Sequence, residues 1–487
     1  MKRYGYILIL LFAGWLTVSC EDWFDVKPEN QVSSNDLYST GSGYRMQLNG
    51  IYKGLAETSL YGKELGWGFI DVLGQYYVRE KLEQNYRDVN DRRYGVAAVE
   101  SYIDGIWSNM YHVIADCNDL LEHIVDTDPL MFEYGKIEQS RIHGEALAVR
   151  AFCHFDLLRL FAPSPKADDG GAYIPYVDNS MSTINSPLTV DVVLERVIAD
   201  LEKASELLLE WDSAHRSSTD EYYWITEVIN GGFHPAGASE DASMFTWAPR
   251  YRMHYFATQA ILARVYFYMG RTKEAYEKAK IICDLGWGAF DFDSWLNGRK
   301  FTGDIILGFY NEKNEENYAP YATVNNPLVL RNLLALFPGD AGMDARFVDQ
   351  TKQLDDGSGY VSLKNVPVEY GSGNDLLPII PIIRRSELHY IMCEYLCENT
   401  TTVPREAITL LQDIKDSRMD LTYIGSITST EQFLNVLRQD ARREFIGEGQ
   451  SFFYYKALNI PLYDGADNIN FGSDYYLPIP DSEHVVL

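Results

Sequence analysis

The sequence has few of the residues on which metal binding and catalysis depend, and it lacks the usual signatures of both. Its nine histidines are scattered along 487 residues without a ligand-like spacing. It contains no Walker loop, no Gly-x-Gly-x-x-Gly after a predicted strand, no His-Glu-x-x-His and no Gly-x-Ser-x-Gly. We therefore predict no metal, no cofactor and no catalytic residue, and we expect a protein that is not an enzyme.

Basic residues are also scarce, with 42 Lys and Arg against 70 Asp and Glu and a net charge of −28. A surface of this sign repels phosphate backbones, so we exclude nucleic acid as a partner. The many carboxylates leave one alternative of another class open, a surface-anchored glycoside hydrolase. With so many carboxylates, chance alone can place two of them at the separation that glycoside hydrolysis requires.

Long apolar runs are missing after the N-terminus, where no stretch reaches about 18 residues. The N-terminus itself has basic Lys2 and Arg3, an apolar segment over 7–18, and then Leu16-Thr17-Val18-Ser19-Cys20. This order resembles a bacterial lipoprotein signal, in which the cysteine is lipidated. We predict a signal peptide over 1–19, a lipidated Cys20 that begins a tether over 20–35, and one domain over 36–487.

Cysteines are too few and of the wrong number for a disulfide framework. Five remain after Cys20, which is an odd number, and most lie among apolar residues in helical patterns. We predict that they are buried thiols. Cys393 and Cys397 have a spacing that permits a metal pair, but no second pair completes a set of ligands.

Helical periodicity dominates what the chain does contain. Apolar residues recur three and four apart in segments that predict helices over 100–125, 141–161, 190–209, 253–269, 273–285, 386–398, 404–418 and 430–447. The pattern Ala263-x-x-Tyr266-x-x-x-Gly270-x-x-x-x-Ala275-x-x-x-Ala279 matches a tetratricopeptide helix hairpin, with helical repeats expected over about 100–285 and 386–447. The long stretches between these helices predict loop-rich insertions, which in compact proteins are usually functional.

Aromatic residues are abundant at 14%, including 35 Tyr and 9 Trp. Flat apolar faces next to hydrogen-bonding groups suit amphipathic ligands such as sugars or peptides. Candidate ligand-binding residues therefore lie in the aromatic-rich loops, and they are Trp67, Asp71, Gln75, Tyr76, Tyr77, Tyr222, Tyr223, Trp224, Tyr318 and Tyr321.

Several segments resemble the SusD/RagB family across nearly the whole chain after Cys20. The most specific are Arg150-Ala151-Phe152-x-x-Phe155-Asp156-Leu157-x-Arg159-x-Phe161, Asp344-x-Arg346-Phe347, Arg442-Arg443-Glu444-Phe445-x-x-Glu448-Gly449 and Pro478-Ile479-Pro480-x-x-Glu483. The chain departs from the family pattern at 450–456, which predicts a divergent subfamily. The resembling residues are mainly structural, and we expect Arg150, Arg159, Arg442, Glu444 and Glu448 to form buried ion pairs and packing contacts.

The resemblance implies a mostly α fold, a SusD-like superhelix of tetratricopeptide-type helix pairs with a loop-rich ligand-facing part. It implies a glycan receptor anchored in the outer membrane through its lipid and facing the cell exterior. It also implies delivery of the glycan to a TonB-dependent, SusC-like transporter. Within the family an oligopeptide ligand is the alternative, and a purely structural repeat scaffold is a third possibility.

Overall fold

The computed structural model describes most of the chain after the predicted tether. The described residues are 34–180, 185–214, 216, 219–231, 245, 249–285, 299–338, 343–367 and 377–484. Cys20, the signal peptide and most of the tether lie outside them, so the predicted lipid anchor stays a prediction.

Helices dominate the described residues, as the periodicity predicts. They are α1 Ser34–Leu37, α2 Gly41–Leu55, α3 Phe69–Leu73, α4 Gln84–Asn90, α5 Ala97–Ile124, α6 Gly135–Phe161, α7 Val190–Ala214, α8 Glu221–Thr226, α9 Tyr255–Tyr268, α10 Thr272–Cys283, α11 Asn314–Tyr318, α12 Leu333–Leu336, α13 Ala345–Val348, α14 Arg385–Leu396, α15 Arg405–Ser417, α16 Thr430–Glu444, α17 Gln450–Leu458 and α18 Asp481–His484. Short 3₁₀ turns include Arg79–Lys81, Ala319–Ala322 and Gly472–Tyr475, and one π turn covers Glu227–Gly231.

Strands are short and form antiparallel pairs at the ends of loops. They are β1 Ala172–Ile174 with β2 Leu188–Thr189, β3 Ile305–Tyr310 with β6 Ile379–Arg384, β4 Thr351–Gln353 with β5 Tyr360–Ser362, and β7 Leu462–Tyr463 with β8 Asn468–Ile469. The β3–β6 pair joins two segments about 70 residues apart, and Ile379 lies opposite Tyr310.

The long helices pack as successive neighbours, which is the arrangement of a helical repeat. Helix α5 packs between α2 and α6, α6 packs on α7, α7 on α9, α9 on α10, and α10 on α14, which α15 and α16 cover in turn. A single helix pair cannot bury its whole apolar surface, so each pair also packs against the next. The predicted superhelix of tetratricopeptide-type pairs is confirmed.

The α9–α10 hairpin has the features that its sequence pattern predicts. Ala263, Ala275 and Ala279 are completely buried between the two helices. Gly270 has φ +76° and forms the turn that reverses the chain. A residue with a Cβ is disfavoured in this left-handed conformation, which is why the pattern requires glycine there.

Two local predictions need correction. The helix predicted over 404–418 begins one residue later, at Arg405, and Pro404 lies at its N-cap. The departure from the family pattern at 450–456 lies in α17, which the helix predictions did not include, and every residue from Gln450 to Ala457 in it is buried.

The predicted ion pairs form a buried network, here called the ionic core, on the side of α16 that faces β6. Glu444 accepts hydrogen bonds from Arg384 at 2.5 Å, Arg418 at 2.6 Å and Arg346 at 3.2 Å. Although burial alone would raise it, the guanidinium groups hold the pKa of Glu444 well below its usual range. The ionic core comprises Asp304, Asp344, Arg346, Arg384, Arg418, Asp440, Glu444 and Glu448.

Of the three remaining residues in this prediction, two form ion pairs and the third makes other buried contacts. Arg150 pairs with Asp200 at 2.8 Å, and Arg159 pairs with Asp156 at 2.5 Å. Arg442 instead donates to backbone carbonyls, those of Gly74 at 2.7 Å and Gln75 at 3.0 Å. This contact ties α16 to the loop that contains many of the candidate ligand residues.

The five cysteines after Cys20 are free thiols in the structure, and all but the half-buried Cys283 are buried. No group of three or more potential metal ligands is found among the described residues. In the part of the chain that the structure describes, no helix combines the length and the apolar character needed to cross a membrane.

Candidate functional site

Most of the predicted ligand residues before α5 lie inside the protein. Trp67, Asp71, Gln75, Tyr76 and Tyr77 are each at most 4% exposed. Helix α3 and the loops on either side of it turn these side chains inward, and Asp71 and Tyr76 contact α16 and the segment after it. Their packing accounts for their presence, and their contact with a ligand stays a prediction.

Asp71 shows what holds this loop. Its carboxylate accepts the backbone N–H groups of Gly447 at 2.8 Å and Gly449 at 3.1 Å. Burial raises the pKa of Asp71 to about 8, against the opposing effect of the two N–H groups and of Arg442. Gly449 has φ +70°, and a Cβ there would clash with the Leu65 carbonyl oxygen. The Glu-Gly motif therefore shapes the contact between the helical repeat and the loop.

Tyr76 and Tyr77 anchor the same loop through their hydroxyl groups. Tyr76 Oη donates to the Arg442 carbonyl oxygen at 2.7 Å, and the Arg442 guanidinium lies 3.9 Å from the centre of the Tyr76 ring. Tyr77 Oη donates to the Trp67 carbonyl oxygen at 2.8 Å. Gln75 has φ +56° and donates to the Asn90 carbonyl oxygen at 3.1 Å. The loop conformation is thus fixed by hydrogen bonds at several points.

Two predicted groups that lie about 250 residues apart meet at one place. The Trp67 ring lies 5.0 Å from Tyr318, edge to face, and 5.1 Å from Tyr321. Trp67 and Tyr318 are buried, whereas Tyr321, in the turn after α11, is half-buried and reaches the surface. The structure thus places the sequence candidates Trp67, Tyr318 and Tyr321 in one aromatic cluster.

Three residues that the sequence analysis did not select complete the cluster. Lys63 Nζ lies 5.8 Å from the centre of the Trp67 ring, 5.4 Å from that of Tyr86 and 5.2 Å from that of Tyr321. Tyr86 stacks on Tyr102 at 5.7 Å. We call the set Lys63, Trp67, Tyr86, Tyr102, Tyr318 and Tyr321 the aromatic cluster.

Charge at the aromatic cluster is balanced locally. Glu64 accepts hydrogen bonds from the Tyr86 hydroxyl and the Phe69 N–H, both at 3.0 Å, and lies 3.3 Å from Lys63 Nζ. Burial lowers the pKa of Lys63, but Glu64 and Tyr321 outweigh this effect and raise it. Lys63 therefore stays an ammonium group at neutral pH, attracted to three aromatic faces.

The indole of Trp67 has one unused hydrogen-bond donor. Its Nε1 is buried and has no hydrogen-bond partner among the described residues. Trp67 also lines a small cavity of about 20 Å³ together with Asn314, Asn365 and Gln450. A buried polar atom without a partner calls for an explanation, and a hydrogen-bonding ligand group is one.

The third predicted group lies on other elements. The side chain of Tyr222 is outside the described part of the chain, and Tyr223 is 58% exposed. Trp224 is half-buried, donates to the Asp212 carbonyl oxygen at 3.1 Å and lies under the Arg216 guanidinium at 4.8 Å. This group packs where α7 ends and α9 begins, so the structure does not join it to the aromatic cluster.

The sequence does not mark Lys63, Tyr86 and Tyr102 as ligand candidates, and the reason differs for each. Tyr102 lies among the apolar residues of α5 and resembles a core position by its spacing. Tyr86 lies in a polar segment without other aromatic residues, and Lys63 carries no aromatic signal at all. Only the neighbouring Trp67 could have drawn attention to Lys63, because cations often lie over indole rings.

Comparison with known proteins agrees with this fold. The SusD-like family, described as starch-binding and associating with the outer membrane, matches residues 22–219. SusD-like protein P25 of Formosa agariphila is 22% identical over 235 residues, which are 47% of this chain and 42% of that protein. The chain thus spans less than half the length of this curated relative.

Solved structures match over nearly their whole length. A SusD superfamily protein from Bacteroides thetaiotaomicron is 22% identical with a TM-score of 0.68, covering 92% of this chain and 98% of that chain. A laminarin-binding SusD-like protein is 17% identical with a TM-score of 0.62, covering 92% of this chain and 98% of that chain. At these identities the likeness shows the fold.

Proposed function

We propose that the chain is a glycan receptor, because residues 22–219 match the SusD-like family and the fold resembles that of solved SusD-like proteins. It captures an oligosaccharide or polysaccharide at the aromatic cluster and passes it to a TonB-dependent, SusC-like transporter in the outer membrane. Its role is binding and delivery, without a covalent step. The observation that carries the proposal is the meeting of Trp67, Tyr318 and Tyr321, with Lys63 over the rings of Trp67 and Tyr321.

The geometry of the cluster suits a sugar ring. Tyr321 and Tyr102 are half-buried, so each has ring surface available at the protein exterior. The C–H faces of a pyranose pack on such rings, while Lys63 offers N–H donors to the hydroxyl groups. A millimolar affinity corresponds to only about 4 kcal/mol, which a few such contacts supply.

The predicted ligand residues receive different roles in this proposal. Tyr321 contacts the glycan directly, and Trp67 holds it from beneath and offers its free indole N–H. Tyr318 positions Trp67. Asp71, Gln75, Tyr76 and Tyr77 fix the loop, and the group Tyr222, Tyr223 and Trp224 provides a second contact for a longer polymer.

The membrane association of the receptor rests on Cys20. We propose that Cys20 is lipidated after removal of residues 1–19 and that 20–35 forms the tether to the outer membrane. The domain over 36–487 then lies at the cell exterior. The family description, which associates such proteins with the outer membrane, supports this placement.

The test is native affinity electrophoresis of soluble residues 21–487 through gels that contain starch, laminarin, xylan or another single polysaccharide. We expect retardation by at least one polymer, without release of sugar from an incubated sample. In Tyr321→Ala we expect weaker retardation, corresponding to an affinity at least tenfold lower. The matched control is Tyr423→Ala, which removes a tyrosine that is 74% exposed and far along the chain.

Three results would contradict the proposal. Release of reducing ends would favour a glycoside hydrolase. Binding of an oligopeptide mixture, with no retardation by any polymer, would favour the peptide alternative. A co-purifying barrel protein with no glycan or peptide bound at all would favour a structural scaffold.

A further inference from the structure

A second cavity lies where the end of α6 meets the C-terminal segment. It has a volume of about 190 Å³, and it shares no lining residue with the aromatic cluster. Its lining includes Asp169, Tyr173, Lys456 and Tyr476, and we call this cavity the terminal pocket.

The walls of the terminal pocket are held by hydrogen bonds. Leu477 N–H donates to the Leu160 carbonyl oxygen at 2.8 Å, which fixes the C-terminal segment on the end of α6. The Tyr475 hydroxyl donates to the Ile460 carbonyl oxygen at 2.8 Å. The pocket is therefore formed before any ligand arrives, which lowers the entropic cost of binding.

Two tyrosine rings form an apolar corner of the pocket. Tyr173 of β1 and Tyr476 are both half-buried, with ring centres 5.9 Å apart and an interplanar angle of 76°. One ring can support the face of a small ring-shaped ligand while the other contacts its edge.

Lys456 gives the pocket its chemical preference. Its side chain is buried, and its Nζ donates to the carbonyl oxygens of Arg159 at 2.5 Å and Ala162 at 2.7 Å. These carbonyls lie at the C-terminal end of α6, where a helix has unpaired acceptors and a partial negative charge. Among the described residues, Lys456 forms no ion pair with a carboxylate, and burial and nearby Arg159 lower its pKa well below its usual range.

Either protonation state of Lys456 leaves one site for a hydroxyl group. An ammonium group has a third N–H that can donate to a hydroxyl oxygen, and a neutral amine has a lone pair that can accept from a hydroxyl. A carboxylate would suit only the ammonium form, and a chain of net charge −28 repels anions. A neutral hydroxyl-bearing ligand therefore fits best.

Asp169 supplies an acceptor at the rim. Its Oδ1 accepts from the Tyr173 hydroxyl at 2.7 Å and from the Gly171 N–H at 2.9 Å, and the side chain is exposed. The hydrogen bond from the Tyr173 hydroxyl is the main cause that lowers the pKa of Asp169, and the Gly171 N–H adds to it. Asp169 is therefore a carboxylate at neutral pH. Its Oδ2 can accept from a ligand hydroxyl.

We propose that the terminal pocket binds one neutral sugar residue, with its ring against Tyr173 and Tyr476 and its hydroxyl groups on Lys456 and Asp169. This second site extends the proposed receptor function. It rests on that function in one respect, because the bound sugar residue belongs to the glycan that the receptor captures. It lets the protein hold a chain end while the aromatic cluster binds another part of a glycan.

The experiment uses saturation-transfer NMR of soluble residues 21–487 with the methyl glycosides of glucose, galactose, mannose and xylose as probes. We expect millimolar binding of at least one glycoside that persists in Tyr321→Ala. Adding Tyr476→Ala to the Tyr321→Ala variant weakens glycoside binding at least tenfold. Asp169→Asn keeps the shape of an exposed side chain and removes its charge, and it weakens binding several-fold without affecting the thermal midpoint.

Either of two results overturns the proposal. No glycoside shows transfer in the Tyr321→Ala variant, or Tyr476→Ala and Asp169→Asn both leave the dissociation constant within twofold. Failure of the proposed receptor function can be distinguished from failure of this second site. The receptor function is judged by whether a polysaccharide gel retards the unaltered protein. Tyr423→Ala serves as the surface control in both experiments.

Discussion

The ionic core and the aromatic cluster both contain charged groups beside aromatic rings, yet they differ in exposure. In the ionic core, Glu444 and its three guanidinium partners are at most 2% exposed, and the Arg418 guanidinium lies 3.8 Å from the centre of the Phe301 ring. In the aromatic cluster, Lys63 lies over three rings, of which that of Tyr321 reaches the surface. The same types of contact are therefore fully enclosed in one region and leave part of an aromatic ring exposed in the other.

The difference follows from desolvation. A buried charge is tolerated only when partners replace its lost hydration, so the ionic core surrounds each guanidinium with carboxylates. A ligand site needs groups whose contacts are incomplete, such as the Trp67 indole N–H. We therefore expect substitutions in the ionic core to lower stability and those in the aromatic cluster to lower affinity.

The largest effect is expected for Glu444→Gln. The substitution leaves Arg346, Arg384 and Arg418 with less compensation in a buried site, and breaking such a pair costs roughly 3–5 kcal/mol. Urea unfolding of soluble residues 21–487 measures the loss. Glu206→Gln, which removes the exposed pair with Lys203, should change stability by no more than about 0.5 kcal/mol. Equal effects of the two substitutions would refute the contrast.

A backbone substitution tests the junction between the two regions. Gly449→Ala forces a side chain into a left-handed conformation and against the Leu65 carbonyl oxygen, and we expect a loss of about 2–3 kcal/mol. Gly447→Ala has φ +77° but no heavy atom near the new Cβ, so its loss should be about 1 kcal/mol. The two unfolding midpoints in urea are compared, and reversal of their order would argue against the close contact with Leu65.

The pH dependence of stability sharpens the comparison further. The folded-state pKa of Glu444 lies well below its usual range, so its stabilisation is complete above the unfolded pKa of about 4.5. Below that pH the unfolded state binds a proton first, and stability falls by up to about 1.4 kcal/mol per pH unit until the folded pKa is reached. Urea unfolding between pH 5 and 3 should show this slope, and Glu444→Gln should reduce it. An unchanged slope in the variant would place the acid sensitivity elsewhere.

The smallest effect on stability is expected for Tyr321→Ala. Its ring is half-buried, so we expect a loss of no more than about 1 kcal/mol in the free energy of unfolding. The affinity for the retarding polysaccharide should nevertheless fall at least tenfold, because the ring forms the exposed face of the aromatic cluster. A large loss of stability with unchanged affinity would assign Tyr321 to the core instead.

The helices were predictable because each carries its own periodic pattern. The helix over Ala97–Ile124 and the α9–α10 hairpin could be located from apolar spacing and from Gly270 alone. Helix α17 was not predicted, although α9 is almost as completely buried. Helix α9 belongs to a hairpin pattern marked by small residues and Gly270, whereas α17 has no such pattern and no contrast between two faces. The candidate site was predictable in part, because aromatic loops are visible in the sequence but their partners are not.

The sequence by itself determined that this is a mostly helical, acidic chain with repeat-type hairpins, an N-terminal lipoprotein-like segment and aromatic loops. Local spacing and composition carry that information. Tertiary structure alone decided which aromatic residues are exposed, that Trp67 meets Tyr321, and that Lys456 lines a pocket with Tyr476. These outcomes depend on contacts between residues up to about 300 positions apart, and burial is a property of the packed molecule rather than of any local segment.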